Sequence, residues 1–195
     1  MTHAINRRNS ESIALVALFA ALLAVMGLIP KIDLPLGVPI TLQTLGVMLA
    51  GCLLGPVRAL QAVLLLMVAV AAGLPLLSGG RGGLGVFMAP TTGYFIGWIA
   101  AAVVTGGLMA ALPKSTPTRA AASAFFASAV GGIAVIYLFG TAGLVWLAKI
   151  PLTQAIWANV AFIPGDLIKC AVAAVVVHRI ARGMPDWRFG GVRPN

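Results

Sequence analysis

Long runs of apolar residues, separated by short breaks rich in proline, glycine and charge, make up most of the chain. Such runs predict membrane helices, because about 20 apolar residues span a hydrocarbon core. We expect six transmembrane helices, at about 12–29, 40–54, 57–72, 91–112, 120–139 and 164–180. The pattern predicts an all-α integral membrane protein of one domain, 1–195, with polar residues 1–10, a six-helix bundle over about 12–182 and a tail at 183–195 that is polar and partly mobile.

The breaks between the runs differ in character. Residues 30–39 contain three prolines and cannot form a continuous helix, whereas the Gly-Pro pair at 55–56 predicts a tight turn. The glycine pair at 131–132 should loosen the fifth helix. Residues 140–161 mix tryptophan, lysine, proline and amide side chains, which favours half-helices at the membrane interface over another full span.

The loop between the third and fourth helices, residues 73–90, is rich in glycine. Five of the eight residues from Ser78 to Gly85 are glycine, and Arg81 is the charged residue among them. Glycine permits positive φ and close backbone approach, and the interspersed Leu, Val and Phe are atypical of a flexible Gly/Ser linker. We therefore expect a loop folded onto the protein. It lacks the G-x-x-x-x-G-K-[ST] pattern of a phosphate-binding loop.

The composition excludes an ordinary soluble domain. The 195 residues are 61% hydrophobic and 9% charged, with a mean hydropathy of +1.05, whereas soluble domains carry about 25% charged residues. So few charges cannot cover a surface in water, and the bilayer must be the main solvent. The net charge of +9 does not indicate nucleic-acid binding, because the basic residues lie at helix ends rather than in a run interleaved with aromatics.

The basic residues divide unequally between the two sides of a six-span bundle. The side with both termini and the turns at 55–58 and 113–119 holds nine of them: Arg7, Arg8, Arg58, Lys114, Arg119, Arg179, Arg182, Arg188 and Arg193. The other side holds Lys31, Arg81 and Lys149. Because loops rich in Lys and Arg stay in the cytoplasm, we predict that both termini are cytoplasmic. The Gly-rich loop and the start of the sixth helix would then be extracellular.

Asp166 and Lys169 follow the Pro164-Gly165 break at the start of the sixth helix. Their spacing places both side chains on one helix face, and charges within a membrane helix are costly. Two structural explanations stay open, since a carboxylate is favourable near a helix N-terminus and a lysine can extend to the interface. Together with Arg81, the pair predicts a polar-lined apolar pocket, in which arginine suits a carboxylate and the pair suits a ligand with donors and acceptors.

Four alanines in the first helix follow a 3-4-3 spacing, at positions 14, 17, 21 and 24. They form a smooth stripe that would let another helix approach closely. Alanine is abundant throughout the chain, so ordinary packing within the bundle is an equally open explanation.

Three stretches, taken in order, carry a resemblance to a known family. They are Pro39-Ile-Thr-Leu-Gln-Thr-Leu45, the loop from Gly73-Leu-Pro through Gly-Gly-Arg-Gly-Gly to Pro90-Thr-Thr-Gly-Tyr94, and Pro164-Gly-Asp-Leu-Ile-Lys169. These stretches resemble the signatures of BioY, the substrate-binding S component of energy-coupling-factor (ECF) biotin transporters. The resemblance covers about residues 12–182. It departs at Ala89-Pro-Thr-Thr-Gly-Tyr94, where the family more often has Gly-Pro-Thr-Gly-Gly-Tyr.

The resemblance implies a multi-pass protein of the prokaryotic cytoplasmic membrane that captures biotin with high affinity near its extracellular face. Asp166 and Lys169 match the family's acid and base, which would hydrogen-bond the polar parts of biotin. Arg81 lies on the loop that would form a lid and is a candidate partner for the valerate carboxylate. Further candidates for the pocket wall, from their position and chemistry, are Gln43, Tyr94 and Asn159.

The resemblance also implies partners. Ala17, Ala21 and Ala24 resemble the alanine motif by which S components dock onto the transmembrane coupling protein. Separate ATPase subunits would supply the energy, since this sequence has no P-loop. Biotin would be the transported ligand, and no cofactor is expected.

Three alternatives need other features. A solitary biotin transporter, working without coupling subunits, should show an inverted repeat, and no convincing repeat is present. A membrane enzyme for a lipid-linked substrate would need further acids, histidines or metal ligands near Asp166, but His3 and His178 fall on the other side. A purely structural bundle would leave the Gly-Arg-Gly loop unexplained. Cys52 and Cys170 lie in apolar runs and predict neither a disulfide nor a metal site.

Overall fold

The computed structural model of the protein describes residues 2–31 and 40–191, without the side chains of residues 2–9. In these ranges the chain forms eight α-helices. They are α1 (Thr2–Leu28), α2 (Gln43–Leu54), α3 (Pro56–Ala71), α4 (Thr92–Ala111), α5 (Pro117–Ser128), α6 (Ile136–Trp146), α7 (Leu152–Val160) and α8 (Ile163–Gly183). Short 3-10 helices cover Leu84–Met88 and Phe189–Gly191, and a π-helical stretch, Ala129–Val135, joins α5 to α6.

The predicted all-α fold is confirmed, and five of the six predicted helices match α1 to α4 and α8 within a few residues, apart from an earlier start of α1. Most of the predicted break at 30–39, including Pro39, lies outside the described residues, as do the side chains of Arg7 and Arg8 and all of Arg193.

Several of the described helices are apolar and long enough to cross a membrane, as expected of a multi-pass membrane protein. Three qualify alone: Ser10–Leu28 within α1, α4, and the continuous helix Pro117–Trp146. Helices α7 and α8 qualify together, with a bend of 49° between them. Helices α2 and α3 have 12 and 16 residues and are shorter than a full span. The count of six spans, with both termini in the cytoplasm, therefore stays a prediction.

The fifth helix was predicted to end near Phe139 and to be followed by half-helices. That prediction is wrong for residues 140–146, which continue the helix. The helix continues from Pro117 to Trp146, because its glycines serve close packing rather than a break. A Cβ added to Gly143 would lie 2.7 Å from the Cα of Gly93 in α4. The last part of the predicted region does form a short helix, the nine-residue α7.

The prediction of a polar tail needs one correction: Trp187, Phe189 and Gly190 pack against the bundle, whereas Asp186 and Arg188 are exposed. That the tail is partly mobile stays a prediction. The indole Nε1 of Trp187 donates to the carbonyl of Leu53 at 3.1 Å. Phe189 is buried, and Gly190 adopts a positive φ of 64° against the backbone of Ala110. Two aromatic side chains and a glycine thus anchor a segment that its arginines had indicated to be exposed to solvent.

Helix α2 forms the centre of the bundle and positions the site. All of its residues except Thr44 are buried, and it packs against five helices, α1, α3, α4, α5 and α8. Large apolar side chains elsewhere point outward, including those of Ile13, Val68 and Leu138 at 70%, 66% and 69% exposure. An apolar exterior suits a protein whose surroundings are lipid.

Candidate functional site

A cavity lies where the first turns of α2, α4 and α8 meet the start of α6 and the Gly-rich loop. Its lining residues are Ile40, Thr41, Thr44, Arg81, Thr91, Tyr94, Trp98, Ile136, Tyr137, Phe162, Asp166 and Lys169. The enclosed space is about 70 Å³, whereas small-molecule sites usually measure about 300–1,000 Å³. A ligand of ordinary size therefore does not fit this cavity unless its walls move.

Asp166 and Lys169 form a buried ion pair at the cavity wall. The Nζ atom of Lys169 lies 2.7 Å from Oδ1 of Asp166, and the two residues are 8% and 5% exposed. Pro164 and Gly165 occupy the first turn of α8, so both side chains emerge on the same face within its first two turns. Such a pair is tolerated in an apolar interior only when further hydrogen bonds satisfy both groups.

Two further side chains supply those hydrogen bonds. The hydroxyl of Tyr137 in α6 donates to Oδ2 of Asp166 at 2.7 Å, and Nζ of Lys169 donates to Oγ1 of Thr44 in α2 at 2.9 Å. Both carboxylate oxygens of Asp166 are therefore engaged. The four side chains, here called the polar network, join α2, α6 and α8 at the cavity.

The polar network contains two residues that the sequence did not indicate as site residues. Thr44 is one of two threonines near the start of α2, and nothing in its type or spacing distinguishes it from Thr41. Tyr137 is one of two tyrosines in the chain. In so apolar a sequence, a tyrosine within a predicted membrane helix is a usable signal, because its hydroxyl needs a hydrogen-bond partner when buried.

Arg81 reaches the same cavity from the Gly-rich loop. Leu77 and Arg81 exchange backbone hydrogen bonds of 3.0 and 3.1 Å across a tight hairpin, in which Gly79 and Gly80 have φ values of 80° and 70°. The guanidinium donates to Oγ1 of Thr91 at 3.1 Å and to the carbonyl of Ser78 at 3.2 Å. The loop thus brings a second cation to the cavity that the polar network lines.

Tyr94 and Asn159 are hydrogen-bonded to each other, but only Tyr94 lines the cavity. The Tyr94 hydroxyl donates to Oδ1 of Asn159 at 2.8 Å, and Nδ2 of Asn159 donates to Oγ1 of Thr141 at 2.7 Å. Asn159 therefore lies behind the wall and fixes the orientation of Tyr94.

Gln43 also lies outside the cavity lining, with 1% of its surface exposed. Its Nε2 donates to the carbonyls of Leu23 and Leu76, each at 3.0 Å, and its Oε1 accepts from the backbone N–H of Ser78 at 3.1 Å. The amide joins α1, α2 and the loop. It therefore fixes the hairpin that carries Arg81.

Aromatic rings form the apolar part of the cavity wall. The ring centroids of Tyr94 and Phe162 are 6.1 Å apart, and those of Tyr137 and Phe162 are 6.3 Å apart. Trp98 completes this side. Aromatic faces and charged groups on one cavity suit a ligand with a flat or ring-shaped apolar body and polar substituents.

The described residues contain no group of three or more His, Cys, Asp or Glu that could hold a metal ion. Cys52 and Cys170 are buried and unpaired by a disulfide. The charged and hydroxyl side chains of the cavity can hydrogen-bond a ligand and complement its charges.

The alanine stripe of α1 lies on the outside of the bundle. Ala17 and Ala21 are exposed, and Ala24 is half-buried. The stripe therefore presents a smooth face outward, away from the cavity.

The model of the BioY family matches residues 1–186 of the chain. The chain belongs to the BioY family. Two relatives named "Biotin transporter BioY" extend the match: the Rhizobium etli protein is 45% identical over 91% of this chain and 96% of its own, and the Rhodobacter capsulatus protein is 46% identical over 90% and 96%. The relatives of this BioY member are thus named for transport, a function that is not enzymatic.

A solved structure agrees with the family assignment. The crystal structure of the S-component for biotin from an ECF-type ABC transporter superimposes with a TM-score of 0.84 at 31% identity, over 91% of this chain and 94% of that chain. This BioY member therefore has the fold of an S component.

Proposed function

We propose that this BioY member captures biotin from outside the cell with high affinity and works as the S component of an ECF transporter in the cytoplasmic membrane. The relatives carry the name of biotin transporter. The observation that carries the proposal is the buried Asp166–Lys169 pair on the same cavity as Arg81.

The charges of the cavity match the two polar ends of biotin. The ureido group of biotin has N–H donors and a carbonyl acceptor, which suit the carboxylate of Asp166 and the ammonium of Lys169. The valerate carboxylate suits the guanidinium of Arg81. The aromatic faces of Tyr94 and Phe162 would then cover the ring system and chain between them.

Gln43 and Asn159 complete the proposed binding set from behind the wall. Gln43 holds the hairpin of Arg81, and Asn159 orients Tyr94. The Gly-rich loop is proposed as the extracellular lid. Since the cavity of about 70 Å³ is too small for an ordinary ligand, lid opening would precede binding.

The alanine stripe is proposed as the docking face for the transmembrane coupling protein. Exposed small residues let a partner helix approach closely in the membrane, and Ala17 and Ala21 are exposed. ATPase subunits bound to the coupling protein would drive uptake. Ala21→Leu should lower biotin uptake in cells at least 10-fold while biotin affinity of the purified chain stays within twofold. Equal losses of both would place the alanines in the fold rather than in docking.

Calorimetric titration of the purified protein with biotin tests the central claim, with riboflavin and thiamine as controls. Biotin should bind with one-to-one stoichiometry, and the other two vitamins should not bind. A folded sample that releases no heat with biotin would exclude the proposal. Uptake by cells that express this chain without coupling protein and ATPases would replace the S-component assignment with a solitary transporter.

A further inference from the structure

An apolar groove runs along the outside of the bundle between α6, α7 and the start of α8. Its volume is about 660 Å³, and its walls include Leu138, Ala142 and Trp146 of α6, Leu152 and Ile156 of α7, and Ile163 of α8. It is separate from the candidate vitamin site, although Tyr137 lines both spaces. The BioY assignment does not explain a groove on this face.

The position of the groove places it beside lipid. Its α6 wall forms the last turns of the 30-residue apolar helix Pro117–Trp146, which at 1.5 Å per residue is about 45 Å long, against about 30 Å for a hydrocarbon core. The groove therefore lies in the half of the membrane that ends at Trp146. Leu138 and Ile156 are 69% and 52% exposed, so the groove opens toward the acyl chains, and hydrocarbon is the favourable filling for apolar walls.

A basic residue lies in the connection between Trp146 and Leu152, two residues that line the groove. This residue, Lys149, is exposed, and its φ of 57° is in the left-handed region, which is uncommon for a residue with a side chain. Trp146 and Trp157 are 73% and 72% exposed, as is typical of tryptophans at the level of lipid headgroups. A cation at this level attracts an anionic headgroup.

We propose that the groove binds one anionic phospholipid, with an acyl chain between α6 and α7 and its phosphate at Lys149. The lipid would support the nine-residue α7, whose described contacts with other helices are chiefly with α6. It would also pack behind Tyr137 and Asn159, the residues that connect the groove to the cavity wall.

Native mass spectrometry of the full chain can test the proposal without any vitamin, so its outcome is independent of the proposed function. The protein is released from nanodiscs of equimolar phosphatidylglycerol and phosphatidylcholine. Wild type should retain one phosphatidylglycerol, whereas Ala142→Phe, which fills the groove, should retain at least 10-fold less. Val175→Phe introduces the same side chain at an exposed position of α8 outside the groove and should behave as wild type.

A second groove-filling variant keeps the test decisive if Ala142→Phe does not fold. Ile156→Trp fills the groove from an exposed position of α7 and should lose the lipid too. Lys149→Gln should lower the preference for phosphatidylglycerol over phosphatidylcholine by about fivefold, and Lys149→Arg should keep it. Retention by wild type no greater than by the folded groove-filling variants would overturn the proposal. So would variants that keep the lipid but lose the coupling protein, since the groove would then be a protein interface.

Discussion

Lys114 and Lys169 are both buried, at 7% and 8% exposure, near opposite ends of the bundle, but their partners differ in kind. Lys114 donates to the carbonyls of Met109, Ala110 and Leu112 at 3.2, 2.7 and 3.0 Å. These carbonyls belong to the end of α4, where intrahelical donors run out, so the ammonium caps the helix with all three of its N–H groups. Burial lowers the pKa of Lys114.

Lys169 is held by side chains from two elements. Its partners are the carboxylate of Asp166 and the hydroxyl of Thr44, which is 125 residues away in sequence. Side chains can rotate to accept a ligand, whereas the carbonyls at a helix end are fixed by the helix itself. The partners of a buried charge, rather than its burial alone, therefore distinguish a binding residue from a structural one.

The largest effect on biotin affinity is expected at the ion pair. Asp166→Asn and Lys169→Met should each weaken binding at least 10-fold, a change of about 1.4 kcal/mol, because each removes a charged hydrogen-bonding group from the cavity wall. Calorimetric titration measures the affinities. Unchanged affinity in both variants would return the pair to a structural role and remove the contrast with Lys114.

A smaller effect is expected at Tyr137. Tyr137→Phe removes the hydroxyl that donates to Asp166 and leaves the ring in place. A hydrogen bond from a neutral donor to a charged acceptor contributes about 1.5–3 kcal/mol. A hydrogen bond from the ligand can replace part of that contribution. We expect affinity to fall about threefold to 10-fold. Tyr94→Phe is the matched control, because it also removes a hydroxyl of the cavity wall, one that donates to the amide of Asn159. An equal loss of affinity in the two variants would mean that the hydrogen bond from Tyr137 to Asp166 makes no specific contribution to binding.

The smallest effect on affinity is expected at Lys114. Lys114→Met should leave biotin binding within twofold and lower stability by about 1–3 kcal/mol, because the buried carbonyls at the end of α4 lose their donor. Thermal unfolding in detergent, followed by circular dichroism, measures the loss. Arg119→Met, at an exposed basic residue close to Lys114 in the chain, is the control and should unfold nearly as wild type does. A large loss of affinity in a folded Lys114→Met protein would contradict the division between the two lysines.

Helical geometry made part of the site predictable. A spacing of three residues is enough to put Asp166 and Lys169 on one face, and the hydrophobic runs located most of the helices. Gln43 shows where such reasoning stops: its amide was predicted to line a pocket, but the structure places it on the carbonyls of Leu23 and Leu76. Which carbonyls on other elements lack a hydrogen-bond donor depends on the packing of the whole bundle. That packing cannot be predicted from the sequence around Gln43.

Tyr137 escaped prediction for a related reason. Its orientation depends on the path of the helix before it, and the glycines at 131 and 132 were interpreted as a loosening of that helix. In the structure they lie in a π-helical stretch, where a Cβ on Gly132 would meet the side chain of Met48. Likewise, the packing of Trp187 and Phe189 against the bundle was not predicted, because the arginines of the tail indicated exposure to solvent. The two aromatic residues could have indicated a buried segment.

The π-helical stretch Ala129–Val135 has a consequence for the changes in chain length that the site could survive in evolution. A π-turn holds one residue more than an α-turn, whereas one residue of a regular α-helix corresponds to about 100° of rotation around its axis. Loss of a single codon in this stretch would therefore restore an ordinary α-turn and leave Tyr137 facing Asp166. The same loss from a regular α-helical turn would rotate every residue beyond it by about 100° and change the wall of the cavity.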